Sequence, residues 1–327
     1  LEHPEAARRR QAVVLGLMTR AGYISPQQAE EAAAERLQFA ATPFPIAAPH
    51  FVMWVQGQLE EQLGIARVRA GGLRVITTLD GDWQREAEAI VARRLAALRP
   101  CATGSFDSAA CDRAADANRR IENAGLAALD PRSGAVLAMV GNTDYFDRAI
   151  NGAVNTTLAL RQPGSAIKPL TYALALDPQV AAAEGRRPWT AATLIADLRT
   201  VFITAEGRPY APQNYDQTYH GPVTVRTAWG FPCPGGAVAG AAGGGDQAGP
   251  PSAPRYGLAL TLGGGEVRLL DLTAAYGAFA NGGAAVTPFA IQRVETLDGQ
   301  PLADWPAPRH AARNPQVLDP RVAYLIT

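Results

Sequence analysis

Apolar residues recur at helical spacing from residue 4 to residue 20, and the pattern restarts in "AGYISPQQAEEAAAERL" after a glycine-containing turn. Ser25 suits the cap of that second helix, Pro26 its first position, and Gln28 completes a capping box. The pair predicts a helical hairpin with little core of its own. "ATPFPIAAPH" carries three prolines and reads as an extended connector. From Phe51 a helix leads to "LRVITTLD", whose β-branched alternation predicts a strand, and Asp82 is expected to cap a helix running to about Leu98. Residues 100–120 form a polar insert. "NAGLAALDPRSGAVLAMVGN" holds two apolar runs around the turn "DPRSG", a hairpin expected to supply sheet core, with Asp130 and Asp144 serving turns. "LTYALAL" predicts a buried helix; Tyr172 and Tyr276, at helical spacing among alanines and leucines, read as core.

Composition narrows the classes. The 327 residues suffice for about two domains. Thirty acidic residues balance thirty basic ones, so no global field favours nucleic acid or an anionic membrane. The run Arg8-Arg9-Arg10 reads as a solvated or headgroup-facing helix face. No apolar run approaches the roughly 18 residues that span a bilayer, so an export signal or anchor is expected outside this chain. Four scattered histidines, without H-E-x-x-H or C-x-x-C, argue against zinc, and no phosphate-binding glycine motif appears. Cys101 and Cys111 flank the insert and could pair in an oxidising compartment, which leaves Cys233 odd.

One residue stands apart. Lys168, in "RQPGSAIKPL", is the only lysine among 30 basic residues, and it follows Ser165 by three. An i, i+3 spacing at the start of a helix puts both side chains on one face. A serine hydroxyl is a weak nucleophile until a base takes its proton. Arginine, with a pKa above about 12, cannot be that base; lysine can, if its pKa falls from about 10.4. Bringing it near 7 or 8 takes about three units, roughly 4 kcal/mol, from burial, positive neighbours and the helix dipole. Pro169 disfavours helical geometry at Lys168, so the helix is expected to begin at about Ser165. With six serines in the chain, the spacing alone arises by chance about 2% of the time.

The surroundings carry more. "LALRQPGSAIKPLTYALAL" resembles the nucleophile segment of the penicillin-binding proteins, and "ENAGLAALDPRSGAVLAMVGN" the strand pair before it. "LRVITTLDGDWQREAEAIV" is similar to the lead-in to their transpeptidase domain, and "GLALTLGGGEVRLLDLTAAYGAFANGG" to a long stretch of the bifunctional class A members. "YAPQNYDQTYHGPVTVRTA" and "PFPIAAPHFV" resemble the 1C-type subgroup. The resemblance implies an α+β fold of the penicillin-binding transpeptidase and serine β-lactamase kind, an antiparallel sheet flanked by helices. It implies three parts: a C-terminal helical remnant of a glycosyltransferase domain at 1–45, a linker region with a strand and helices at 46–122, and a transpeptidase domain at 123–327. It implies a D,D-transpeptidase in which Ser165 attacks peptidoglycan stem peptides, Lys168 takes its proton, and β-lactams acylate the same serine, without metal or cofactor. Asn214 and His220 lie in family-like stretches and are weak candidates for substrate binding; ordering a loop is the plainer role for both. A lipid-linked precursor, glycan polymerisation and a membrane anchor belong by resemblance to a parent protein on the extracytoplasmic, periplasmic face of the cell membrane. No nucleic-acid partner is implied.

Departures from the family pattern are as informative. No Ser-x-Asn follows "HGPVTVRTA"; residues 229–254 instead hold an aberrant stretch in which twelve of the fifteen residues 235–249 are Gly or Ala. A slip of reading frame is the favoured account over a physical loop: shifted one base, "AWGFPC" permits Leu-Gly-x-Ser-Leu-x, although the asparagine is not recovered. Lys-Thr-Gly is absent too, and Asp319-Pro320 looks like a helix start with no stop after it. The chain is therefore expected to be a fragment, incomplete before the Lys-Thr-Gly strand, with an unpaired edge on the hairpin at 124–141. Two other readings stand beside the transpeptidase: a hydrolase or β-lactam sensor using the same pair, and a catalytically dead scaffold.

Overall fold

A computed structural model describes residues 4–35, 46–102, 121–203, 208–211, 213–214, 216–230, 263–302 and 314–327. The connector at 36–45, most of the insert, the glycine-rich stretch, Cys111 and Cys233 lie outside the described residues. Two compact units result, Leu1–Ala47 and Ala48–Thr327.

The first unit is a helical hairpin, α1 (Pro4–Arg20) and α2 (Pro26–Ala34). Gly22, at φ 75°, ends α1: Tyr23 N–H reaches the Met18 carbonyl and Gly22 N–H the Thr19 carbonyl, a Schellman closure that needs a left-handed residue. Ser25 and Gln28 form the expected capping box at 3.2 and 2.9 Å. No residue of α2 is buried, and Arg8, Arg9 and Arg10 are exposed. Among the described residues no helix is long and apolar enough to cross a membrane.

The second unit is mixed α+β, and its strand ladders are antiparallel pairs. It begins with α3 (Pro49–Leu63), α4 (Ile65–Arg69), β1 (Leu73–Thr77) and α5 (Gly81–Ala102), then the hairpin β2 (Leu126–Leu129) and β3 (Val136–Val140). β4 (Leu160–Arg161) leads into α6 (Lys168–Leu176) and α7 (Pro178–Ala183). β5 (Leu194–Asp197), β6 (Phe202–Ile203), β7 (Pro209–Tyr210), β8 (Gly221–Thr224) and α8 (Val225–Gly230) follow. After them come β9 (Val267–Arg268), α9 (Leu269–Ala280), β10 (Ile291–Thr296) and α10 (Pro320–Ile326).

The hairpin is the centre of the packing. Its register shifts between Ala128 and Leu129, so Leu129 faces Val136 and Ala128 faces Ala138. This bulge lets Val136 and Met139 share one face with Phe51, Val55 and Leu59 of α3 and Val294 of β10. Ala138 and Val140 meet Ala87, Val91 and Leu95 of α5 on the other face. Gln84 of α5 stands in for a missing strand at Met139, its amide accepting from Met139 N–H at 2.9 Å and donating to Met139 C=O at 3.1 Å. Among the described residues β2 pairs with β3 alone.

One sequence expectation shifts here. The cap of α5 is Asp80, whose Oδ1 accepts from Asp82 and Trp83 N–H, while Asp82 lies inside the first turn and pairs with Arg85. Asp130 and Asp144 do serve turns, accepting from Ser133 and Phe146 N–H respectively. Asp319 and Pro320 open α10, which packs Val322 and Ala323 against Ala173 and Leu176 of α6 and Phe279 of α9.

Candidate active site

The segment carrying Ser165 is fixed from both sides. β4 pairs with β9, Arg161 opposite Val267, and delivers the chain to Pro163 and Gly164. Gly164 is left-handed at φ 55°, and its N–H reaches the Gly263 carbonyl at 3.4 Å. Gly263, at φ 80°, touches Gly164 so closely that a Cβ there would lie 2.1 Å from the Gly164 oxygen. Only glycine fits that approach. The "GGG" stretch is thus a backbone contact behind the serine.

Gly164–Ile167 then form a 3-10 turn, and Lys168 N–H closes it on the Ser165 carbonyl. A 3-10 turn has three residues per turn, so side chains at i and i+3 eclipse; Ser165 and Lys168 therefore project from the same side. Ser165 is exposed and Lys168 half-buried. The α-helix starts at Lys168, later than the expected Ser165. Lys168 is helical at φ −56°, ψ −43° although proline follows, because Pro169 falls in the first turn, where a proline ring is tolerated. A cleft of about 610 Å³ runs beside the turn, lined by Arg161, Pro163, Ala166, Val267, Leu269 and Leu272.

The two tyrosines read as core divide. Tyr172 is buried, 3% exposed, with Ile195, Val225 and Ala228. Tyr276 departs from the core expectation: it is 36% exposed, and its hydroxyl donates to the Ala166 carbonyl at 2.7 Å, next to Ser165. Partial burial of the phenol pushes its pKa up. The sequence offered no signal for this contact, since the partners are 110 residues apart.

Asn214 and His220 meet at Asp197, which sequence reasoning did not single out. Asp197 ends β5, is fully buried, and its Oδ2 accepts from Asn214 Nδ2 at 2.6 Å, His220 N–H at 2.9 Å and His220 Nδ1 at 2.8 Å. Asn214 also donates to the Thr218 carbonyl at 2.7 Å. His220 Nε2 lies 3.1 Å from Asp216, so both ring nitrogens face carboxylates. Its pKa is raised, chiefly by the Asp197 bond. This network ties Asn214 and His220 to the buried end of β5. Among the described residues no cluster of three His, Cys, Asp or Glu side chains could hold a metal ion.

Comparison with known proteins finds relatives of this chain in sequence and in fold. Residues 124–188, from the hairpin through α7, match the family described as the penicillin binding protein transpeptidase domain. Penicillin-binding protein 2D of Bacillus subtilis is 30% identical over 98% of this chain and 43% of its own length. Penicillin-binding protein 1A of Neisseria lactamica is 32% identical over 62% of this chain and 25% of its own. The chain thus spans less than half the length of either relative. In fold it is similar to penicillin-binding protein 1A from Haemophilus influenzae, with a TM-score of 0.68 at 18% identity, over 98% of this chain and 63% of that one. The PonA1 protein from Mycobacterium tuberculosis in complex with penicillin V gives 0.61 at 19% identity, over 86% and 70%. With the hairpin, the serine turn and the flanking helices in this order, the chain carries the transpeptidase region of a class A penicillin-binding protein.

Proposed function

We propose that this chain performs the acyl-transfer half of peptidoglycan cross-linking, with Ser165 as nucleophile and Lys168 as its general base. The observation that carries the reading is the 3-10 turn between an exposed serine and a half-buried lysine, whose three-residue period sets positions i and i+3 on one side of the backbone. Ser165 Oγ attacks the carbonyl carbon of the penultimate D-alanine while its proton passes to the Lys168 amine. The C–N bond to the terminal D-alanine breaks, that residue leaves as a protonated amine, and an ester remains on Ser165. An amine of a second strand then displaces the serine and forms the cross-link. The backbone N–H of Ser165, in the first turn of a helix, is a natural donor to the developing oxyanion.

The same reading places the chain in the 1C-type subgroup, with residues 1–45 as the tail of a glycosyltransferase domain, 46–122 as a linker and 123–327 as the transpeptidase domain. Glycan polymerisation from a lipid-linked precursor, and anchoring at the extracytoplasmic face, then belong to the longer parent protein. Asn214 and His220 hold the β5–β8 loop rather than substrate. One observation favours a second reading, a scaffold that keeps the pair without turnover: no Ser-x-Asn follows "HGPVTVRTA" within the sequence.

Intact-mass measurement after penicillin treatment decides between them. The first reading expects one added penicillin on the wild type, none on Ser165→Ala, and none on Lys168→Arg, since arginine keeps the charge but cannot accept the proton. A folded wild type that takes up no penicillin overturns it in favour of the scaffold.

A further inference from the structure

The carbonyl of Ala166 has an unusual need. In a 3-10 turn it would accept from the N–H three residues on, but that residue is Pro169, which has no N–H. The Tyr276 hydroxyl donates to it instead, at 2.7 Å. Tyr276 is itself held: α9 buries Leu270, Ala274, Ala278 and Phe279, and the Tyr276 ring meets Phe279 edge-on at 5.7 Å. Phe279 in turn packs on Ala173 and Leu176 of α6, the helix that the serine turn begins. On the other side of Ser165, Gly263 presses on Gly164. The serine is bracketed by a steric hold on the residue before it and a polar hold on the residue after it, both from residues 263–280.

We propose that Tyr276 is a positioning residue for the nucleophile: its hydroxyl fixes the Ala166 carbonyl, and so the orientation of the turn that presents Ser165. This rests on the reading of Ser165 as nucleophile. The hydroxyl contributes nothing to the hairpin core and touches no reacting atom; it acts through the backbone.

The test is Tyr276→Phe in the full chain, which removes the hydroxyl and keeps the ring. Penicillin acylation is followed by intact mass across penicillin concentrations, so that reversible binding and the acylation step separate. The acylation step slows about tenfold, the size expected for one hydrogen bond, while reversible binding and Tm stay at wild-type values. Amide exchange read by mass spectrometry quickens in peptides spanning 163–170 and is unchanged in those spanning 126–140. Wild-type exchange at the turn overturns the proposal, as does an unchanged acylation step. A lowered Tm with faster exchange in both regions reduces Tyr276 to a packing residue and also overturns it. A wild type that takes up no penicillin fails the Ser165 reading instead, and the exchange comparison still decides whether Tyr276 holds the turn.

Discussion

The β2–β3 hairpin and the Ser165 turn lie in the same unit but are secured by different physics. The hairpin is sandwiched, with Val136 and Ala138 at 0% exposure and Met139 at 1%; it is held by area removed from water, which has no direction. The Ser165 turn has no buried residue. It is held by one close backbone approach and a few directed hydrogen bonds. Burial supplies strength without fixing an atom's orientation, and the role proposed for Ser165 needs the reverse: access to solvent with a fixed direction.

This contrast can be broken in graded steps. The largest effect is expected from Met139→Ala, which opens a cavity against α3 and β10. It should cost about 2–5 kcal/mol in denaturant unfolding and leave penicillin acylation of the folded fraction at its wild-type rate. A slowed acylation would mean that the hairpin and the turn are not separable.

Gly263→Ala should come next. Its Cβ has no room beside Gly164, and its φ of 80° is strained for alanine, so about 1–3 kcal/mol is expected together with slower acylation. Gly282→Ala is the control: φ is 61° and nothing lies within 4 Å of an added Cβ. It carries the backbone cost alone, so equal acylation rates in the two variants would remove the steric hold from the account.

The smallest effect is read by pH, at one histidine beside the hairpin and one at the end of β5. His50 packs in the hairpin region, its Nε2–H donating to the Gly152 carbonyl at 2.8 Å, and burial lowers its pKa. Its contribution to stability is complete above its ordinary value of 6.5 and fades as pH falls through the lowered one. His220 runs the other way. Raised by Asp197, its contribution is complete below 6.5 and fades as pH rises through the raised value. The Tm difference between wild type and His220→Gln should therefore be largest at acid pH and close towards alkaline pH. A difference that does not vary with pH would show that the Asp197 bond carries no charge-dependent part.

What the sequence revealed follows the same division. The capping box of Ser25 and Gln28, the turn at Asp130 and the start at Asp319-Pro320 were legible because their partners lie within three residues of one another. The spacing of Ser165 and Lys168 was legible for the same reason, although the 3-10 geometry between them was not, since Pro169 pulls local preference two ways. Asp80 was missed for Asp82 because both are good caps and only the strand's last residues decide which begins the helix. Gln84, Asp197 and Tyr276 left no trace in local pattern. Their bonds reach across 55, 23 and 110 residues, and tertiary packing alone brings those ends together.

That longest reach has a consequence in time. A ribosome adds about 5–20 residues per second, so Ala166 is made roughly 5–20 seconds before Tyr276 exists to hold it. Through that interval Ser165 is present while its turn lacks the Tyr276 bond, and the chain is translated well past Ala166 before that bond can form.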